Sequence, residues 1–137
     1  MKTVLIADDK PECRELIRTV LQSCSYLILE ASDGQEALEQ ALQARPDFIL
    51  LDLHMPVLDG FDVIAALRRE PGFAHTPVVA LTASAMDGDR ERAMAAGFTG
   101  YISKPIRLSV LRNELARLFG STPSSSVEDS RAATTSP

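Results

Sequence analysis

The sequence predicts an α/β fold built as a doubly wound, five-stranded parallel sheet with helices on both faces. Two observations carry this. Short apolar segments of strand length alternate with longer segments whose apolar residues recur at helical spacing. The strand-like segments are apolar almost throughout, as strands covered on both faces must be.

Thr3 to Ala7 is the first strand and ends in Asp8-Asp9. Pro11, whose missing N–H suits a first helical turn, opens a helix with Leu16, Ile17, Val20 and Leu21 on one side. Tyr26 to Glu30 is the second strand, and Asp33 to Ala44 is a helix with Ala37, Leu38, Ala41 and Leu42 on one face. Asp47 to Leu51 is the third strand and ends at Asp52. His54-Met55-Pro56-Val57-Leu58-Asp59-Gly60 then forms a loop before a helix carrying Val63, Ile64 and Leu67. Pro77 to Thr82 is the fourth strand. Asp87, Asp89 and Glu91 place carboxylates where a helix N-terminus favours them, and Gly97 stops that helix. Gly100 to Ser103 is the fifth strand; beyond Pro105, Leu108, Leu111, Leu115 and Leu118 stripe a final helix. Right-handed crossovers leave few doubly wound orders, of which the flavodoxin-like order 2-1-3-4-5 is expected.

The chain has 137 residues, of which 45% are hydrophobic and 24% charged, a composition that buries one ordinary core. That core is expected in a single domain over residues 1–120. Residues 121–137, dominated by Ser, Thr and Pro, read as a disordered tail. With 14 Lys and Arg against 19 Asp and Glu the net charge is −5, which argues against phosphate-backbone binding to nucleic acid. No apolar run approaches the ~18 residues of a membrane span, and the short acidic N-terminus is no secretory signal, so a cytoplasmic protein is expected. Cys13 and Cys24, about 16 Å apart if on one helix, are too distant for a disulfide and read as small buried hydrophobes. Met55, Met86 and Met94 read as packing residues, and Arg90-Glu91-Arg92 as a solvated helix face.

In open α/β sheets the functional crevice lies beyond the carboxyl ends of the strands. Asp8 and Asp9 end the first strand, Asp52 the third, Thr82 the fourth and Lys104 the fifth. Three carboxylates in close quarters resist ionising together unless a cation neutralises them. All-oxygen ligation with positions left for phosphate oxygens is the pattern of Mg²⁺. With neither cysteine expected at this edge, and no partner at ligand spacing for His54 or His75, zinc is disfavoured. Lys104 and Thr82 add a compact positive charge and a hydroxyl donor, which with the metal would surround a phosphoryl group. Asp52, at mid-sheet, is the candidate acceptor of an aspartyl-phosphate.

Asp8-Asp9, Asp52-Leu53-His54-Met55-Pro56 with Asp59-Gly60 behind it, Thr82-Ala83 and Lys104-Pro105 occur in this order at successive strand ends. Over residues 2 to about 119 the chain thereby resembles the receiver domain of two-component response regulators, and is similar to the single-domain receivers of chemotaxis and cell-cycle relays. The resemblance implies that Asp52 takes a phosphoryl group from a phosphohistidine of a sensor histidine kinase or histidine phosphotransfer protein. It implies Mg²⁺ held by Asp9 and Asp52, by Asp8 largely through water, and by the backbone carbonyl of His54. Lys104 would pair with phosphoryl oxygens and Thr82 hydrogen-bond one of them, with Tyr101 turning inward as Thr82 moves. Small Ala83 would leave room for the donor, His54 and Ser84 would flank the path of attacking water, and the Lys104-Pro105 bond would be cis. The altered surface, roughly Asp87 to Phe119, would meet a downstream target protein.

The implied protein is a switch with at most slow self-dephosphorylation, a monomer or weak dimer with no nucleic-acid or membrane partner. Alternatives are a receiver excised from a hybrid histidine kinase, or a receiver that binds proteins independently of phosphorylation. A Mg²⁺-dependent hydrolase forming the same intermediate would carry a second acid two residues after the nucleophile, where His54 stands. A flavin or nucleotide site would need a phosphate loop after the first strand, and Asp8-Asp9-Lys10-Pro11 has the wrong charge for one.

Overall fold

The structure is a computed structural model that describes residues 2–83 and 89–119. Its elements are β1 Thr3–Ala7, α1 Pro11–Gln22, β2 Leu27–Ala31, α2 Gly34–Ala44, β3 Phe48–Asp52, α3 Gly60–Arg69, β4 Val78–Thr82, α4 Asp89–Ala96, β5 Gly100–Ser103 and α5 Leu108–Phe119. The five strands are parallel and stand in the expected order β2-β1-β3-β4-β5. The chain divides into two compact units, Met1–Pro105 and Ile106–Pro137; the sheet and α1 to α4 belong to the first, and α5 to the second.

Register explains the apolar runs. Leu5, Ile49 and Val78 lie side by side, as do Ala7, Leu51, Ala80 and Tyr101. These two rows build one core with Ala37 and Ala41 of α2, Val63, Ile64 and Leu67 of α3, and Ala93 of α4. Strand alternation turns Val4, Ile6, Phe48 and Leu50 to the opposite face, where α1 buries Ile17, Val20 and Leu21 at helical spacing. Both faces of β3 and β4 are buried at every position, which is why neither strand shows a polar alternation.

Element ends follow local chemistry. Asp33 caps α2 by accepting from the Glu36 N–H at 2.8 Å, so the helix starts one residue later than the apolar pattern implies. Asp59 and Asp62 form a reciprocal capping box on α3. The second strand is Leu27–Ala31 rather than Tyr26 to Glu30. Ser25 takes a left-handed φ of 65° and the Tyr26 N–H donates back to the Leu21 carbonyl, so Tyr26 closes the turn after α1. Pro77, which has no N–H, stays outside β4 and only its carbonyl joins the ladder, accepting from Ile49. Gly97, at φ 111°, follows α4 as expected.

Two expectations about side chains change. Cys13 and Cys24 are free but only half-buried, and Met94 is 44% exposed, since α4 covers the sheet chiefly through Ala93. Arg90, Glu91 and Arg92 form an exposed face as expected, and the two guanidinium groups also lie over the rings of Tyr101 and Phe61, at 6.0 and 4.8 Å from the ring centres. Ser84, Met86 and Asp87, the domain boundary at 120 and the tail 121–137 fall outside the described residues.

Arg68 of α3 ties three segments together. Its Nη1 donates to the Phe73 and Thr76 carbonyls at 2.6 and 2.8 Å, and its Nε and Nη2 donate to the Gly97 carbonyl at 3.0 and 2.6 Å. The clamp thus joins α3, the segment before β4 and the end of α4. Arg68→Ala leaves these carbonyls without their donor and is expected to destabilise the fold by about 3 kcal/mol. A fall in the urea midpoint with an unchanged slope would show it; a midpoint equal to wild type would mean that water replaces the clamp without cost.

Candidate functional site

The strand ends deliver the polar residues to one place because each apolar strand stops where its polar residue begins. Asp8 follows β1 directly, and its N–H still bonds the Ala31 carbonyl of β2 at 3.0 Å. Asp52 is the last residue of β3, in register with Leu81. Thr82 ends β4 with no exposed surface, and its carbonyl accepts from the Lys104 N–H at 2.7 Å, so β4 itself fixes the backbone of Lys104. The Lys104-Pro105 peptide is cis, as expected.

Asp8, Asp9 and Asp52 each offer a carboxylate oxygen, and these oxygens lie within 4.8 Å of one another. Asp8 is fully buried, Asp52 nearly so, and Asp9 is the most open of the three. Lys104 Nζ stands between two of them, 2.7 Å from Asp8 Oδ2 and 3.2 Å from Asp52 Oδ2. The remaining oxygens take backbone donors: Lys10 N–H to Asp8 Oδ1 at 2.9 Å and His54 N–H to Asp52 Oδ1 at 3.0 Å. Asp8 Oδ2 is buried and faces the ammonium at ion-pair distance, but no hydrogen bond is angled onto it.

The electrostatics are asymmetric. Burial pushes the Asp52 carboxyl up, and the charge of Asp8 adds to this, beyond what the His54 N–H and Lys104 recover. Burial acts the same way on Asp8, but Lys104, the Lys10 N–H and the Cys13 thiol more than offset it, so Asp8 is held below the ordinary carboxylate range. Burial would lower Lys104, yet the two aspartates hold its pKa up. Three carboxylates against one ammonium leave two negative charges when all are ionised, the charge that a divalent cation matches. An all-oxygen donor set with one buried, incompletely satisfied oxygen fits a hard ion such as Mg²⁺.

Of the residues singled out from the sequence, the structure therefore brings together Asp8, Asp9, Asp52 and Lys104. Thr82 lies buried on the neighbouring strand. His54 is exposed beyond β3 with its N–H on Asp52, and Ala83 and Pro105 are exposed. Tyr101 is half-buried against the core in the row of Ala80 and beneath Arg90.

Two residues at this edge are not legible as a motif. Cys13 lies in the first turn of α1, and burial, reinforced by Asp8, pushes its thiol up to about 12. The ligand cluster itself contains no cysteine, as expected, and its three carboxylates favour a hard ion over zinc. Arg14 donates to the Asp8 carbonyl at 2.6 Å and to Glu30 at 3.0 Å.

The sequence profile of the response regulator receiver domain matches residues 4–116. The chain belongs to this family. Over 105 residues it is 39% identical to the polar-differentiation response regulator DivK of Brucella anthropi, spanning 77% of this chain and 85% of that protein. Among solved structures it is similar to the chemotaxis response regulator CheY4 of Vibrio cholerae, with a TM-score of 0.81 and 35% identity over 86% of this receiver and 98% of that chain. It is equally similar to the receiver domain of the sensor histidine kinase PA1611 of Pseudomonas aeruginosa, with a TM-score of 0.80 and 35% identity over 88% and 98% of the two chains. That structure has a magnesium ion coordinated in its active-site cleft. Receiver domains are signalling switches of two-component systems, and they bind Mg²⁺ at an acidic pocket.

Proposed function

We propose that this receiver is a phosphorylation-activated switch whose phosphoacceptor is Asp52. The observation that carries the reading is the Lys104 ammonium set between buried Asp8 and Asp52 in a cluster of three carboxylates. An Asp52 oxygen attacks the phosphorus of a phosphohistidine on a sensor histidine kinase or phosphotransfer protein. The O–P bond of an acyl phosphate forms, the P–N bond breaks, and the imidazole leaves. Lys104 offsets charge on the phosphoryl oxygens and the Thr82 hydroxyl donates to one of them. Asp8, Asp9 and Asp52, with the His54 carbonyl, would hold Mg²⁺, which when bound neutralises the carboxylates and the incoming phosphoryl charge. Small, exposed Ala83 leaves the approach open, and exposed His54 stands where it can screen water from the product.

The switch follows from Thr82. A phosphoryl group that engages its hydroxyl differs in free energy between two positions of β4's end, and Tyr101, three residues before Lys104, responds. A downstream target protein reads the change at α4 and β5. The protein acts in the cytoplasm as a monomer or weak dimer. Among the described residues no helix is long and apolar enough to cross a membrane.

Incubation with Mg²⁺ and acetyl phosphate is expected to add about 80 Da to the intact mass of the native chain and nothing to Asp52→Asn. No adduct, with Mg²⁺ bound and fluoroberyllate also failing to bind, would overturn the reading in favour of phosphorylation-independent protein binding.

A further inference from the structure

The acid cluster must hold three mutually repelling carboxylates in place before any cation arrives. Asp52 is fixed by its strand and by the His54 N–H, and Asp8 by the Lys10 N–H and Lys104. Asp9 is the most open of the three and follows the end of β1, so its position depends on how the Asp8–Asp9 peptide plane is oriented. Lys10, the N-cap of α1, provides no side-chain cap there.

That peptide plane is held from outside the cluster. Arg14 Nη1 donates to the Asp8 carbonyl at 2.6 Å, while its Nε donates to Glu30 Oε1 at 3.0 Å. Glu30 lies on β2 opposite Ile6, on the face that α1 covers, and its other oxygen accepts from Arg18 Nη1 at 2.5 Å. The Arg14 side chain is only 18% exposed and that of Glu30 30%, so the pair is not a loose surface contact. One guanidinium thus bridges a fixed carboxylate and the carbonyl whose orientation sets the start of Asp9. A planar fork with several donors can satisfy both partners at once, which an ammonium does poorly.

We infer that Arg14, oriented by Glu30, is a positioning residue for the divalent-cation site, acting through the Asp8 carbonyl to present Asp9. This rests on the reading of the acid cluster as a cation site. Outer partners that orient metal ligands typically change metal affinity by 10–100-fold when removed. Arg14 acts on one ligand of three, and its removal belongs at the lower end of that range.

The test is calorimetric titration of Mg²⁺ into the full chain, well below the melting transition, without any phosphodonor. Arg14→Met is expected to weaken Mg²⁺ binding about tenfold, Arg14→Lys to restore part of the loss, and Glu30→Gln to weaken binding by about threefold as Arg14 loses its anchor. A merely structural Arg14 would lower the melting temperature and leave the Mg²⁺ affinity of the folded protein unchanged. Folded Arg14→Met binding within about twofold of wild type would therefore overturn the inference. Should Arg14→Met fail to fold, Glu30→Gln decides in the same way. Wild-type protein that takes no Mg²⁺ would instead defeat the cation-site reading itself.

Discussion

Lys104→Met is expected to destabilise the fold by about 3 kcal/mol in metal-free buffer, because it removes the cation from between two buried carboxylates and leaves both charges in place. The side chains of Asp8 and Asp52 are 0% and 4% exposed, so water is poorly placed to replace the ammonium. The same variant should regain most of its stability at saturating Mg²⁺, since a ligand that binds only the folded state raises its stability by mass action. Mg²⁺ should therefore shift the unfolding midpoint of the variant more than that of wild type. Phosphoryl transfer should not recover in parallel, as loss of a preorganised charge at the transition state costs roughly 10²–10³ in rate. Unfolding curves for both proteins with EDTA and with Mg²⁺, beside the rate of adduct formation, separate the two roles of Lys104. A variant as stable as wild type in EDTA would show that the cluster does not depend on this ammonium.

The sheet and most of the acid cluster were legible in the sequence for one physical reason. Strands buried on both faces must be apolar, so the first polar residue after each run marks a strand end, and strand ends on one side of a parallel sheet converge. Val4 to Ala7 followed by Asp8, and Phe48 to Leu51 followed by Asp52, are read this way without coordinates. Boundaries decided by a single backbone angle were not legible. Tyr26 has the side chain of a strand residue, and only the left-handed Ser25 excludes it from β2.

Residues that act on backbone atoms of distant segments were not legible either. Arg14 and Glu30 are 16 residues apart and form no motif; they meet because α1 packs on β2. Arg68, near the basic end of its helix, forms no motif with Phe73, Thr76 and Gly97, whose backbone carbonyls it binds. Cys13 lies five residues beyond Asp8, but the tight turn at Lys10 returns the first turn of α1 to the strand end.

Gly60→Ala should lower stability by about 2 kcal/mol, within the usual range for forcing an atom into filled space. A Cβ at position 60 would lie 2.6 Å from the Asp52 carbonyl oxygen and 2.8 Å from the Leu53 Cα, both backbone atoms that cannot swing aside. The Gly60 N–H also donates to the Leu53 carbonyl at 3.0 Å, so the first turn of α3 is stacked directly on the end of β3. Helix propensity acts in the opposite direction, since alanine is favoured over glycine by up to about 1 kcal/mol within a helix. The sign of the change therefore discriminates: a more stable Gly60→Ala would mean that the close approach to Asp52 is relaxed at no cost. Relieving the overlap displaces the backbone of Asp52, which carries one of the three clustered carboxylates. Mg²⁺ affinity and adduct formation should then fall in protein that is still fully folded, with the loss greatest in the rate of phosphoryl acceptance. Titration and mass measurement well below the melting transition would separate that displacement from simple unfolding.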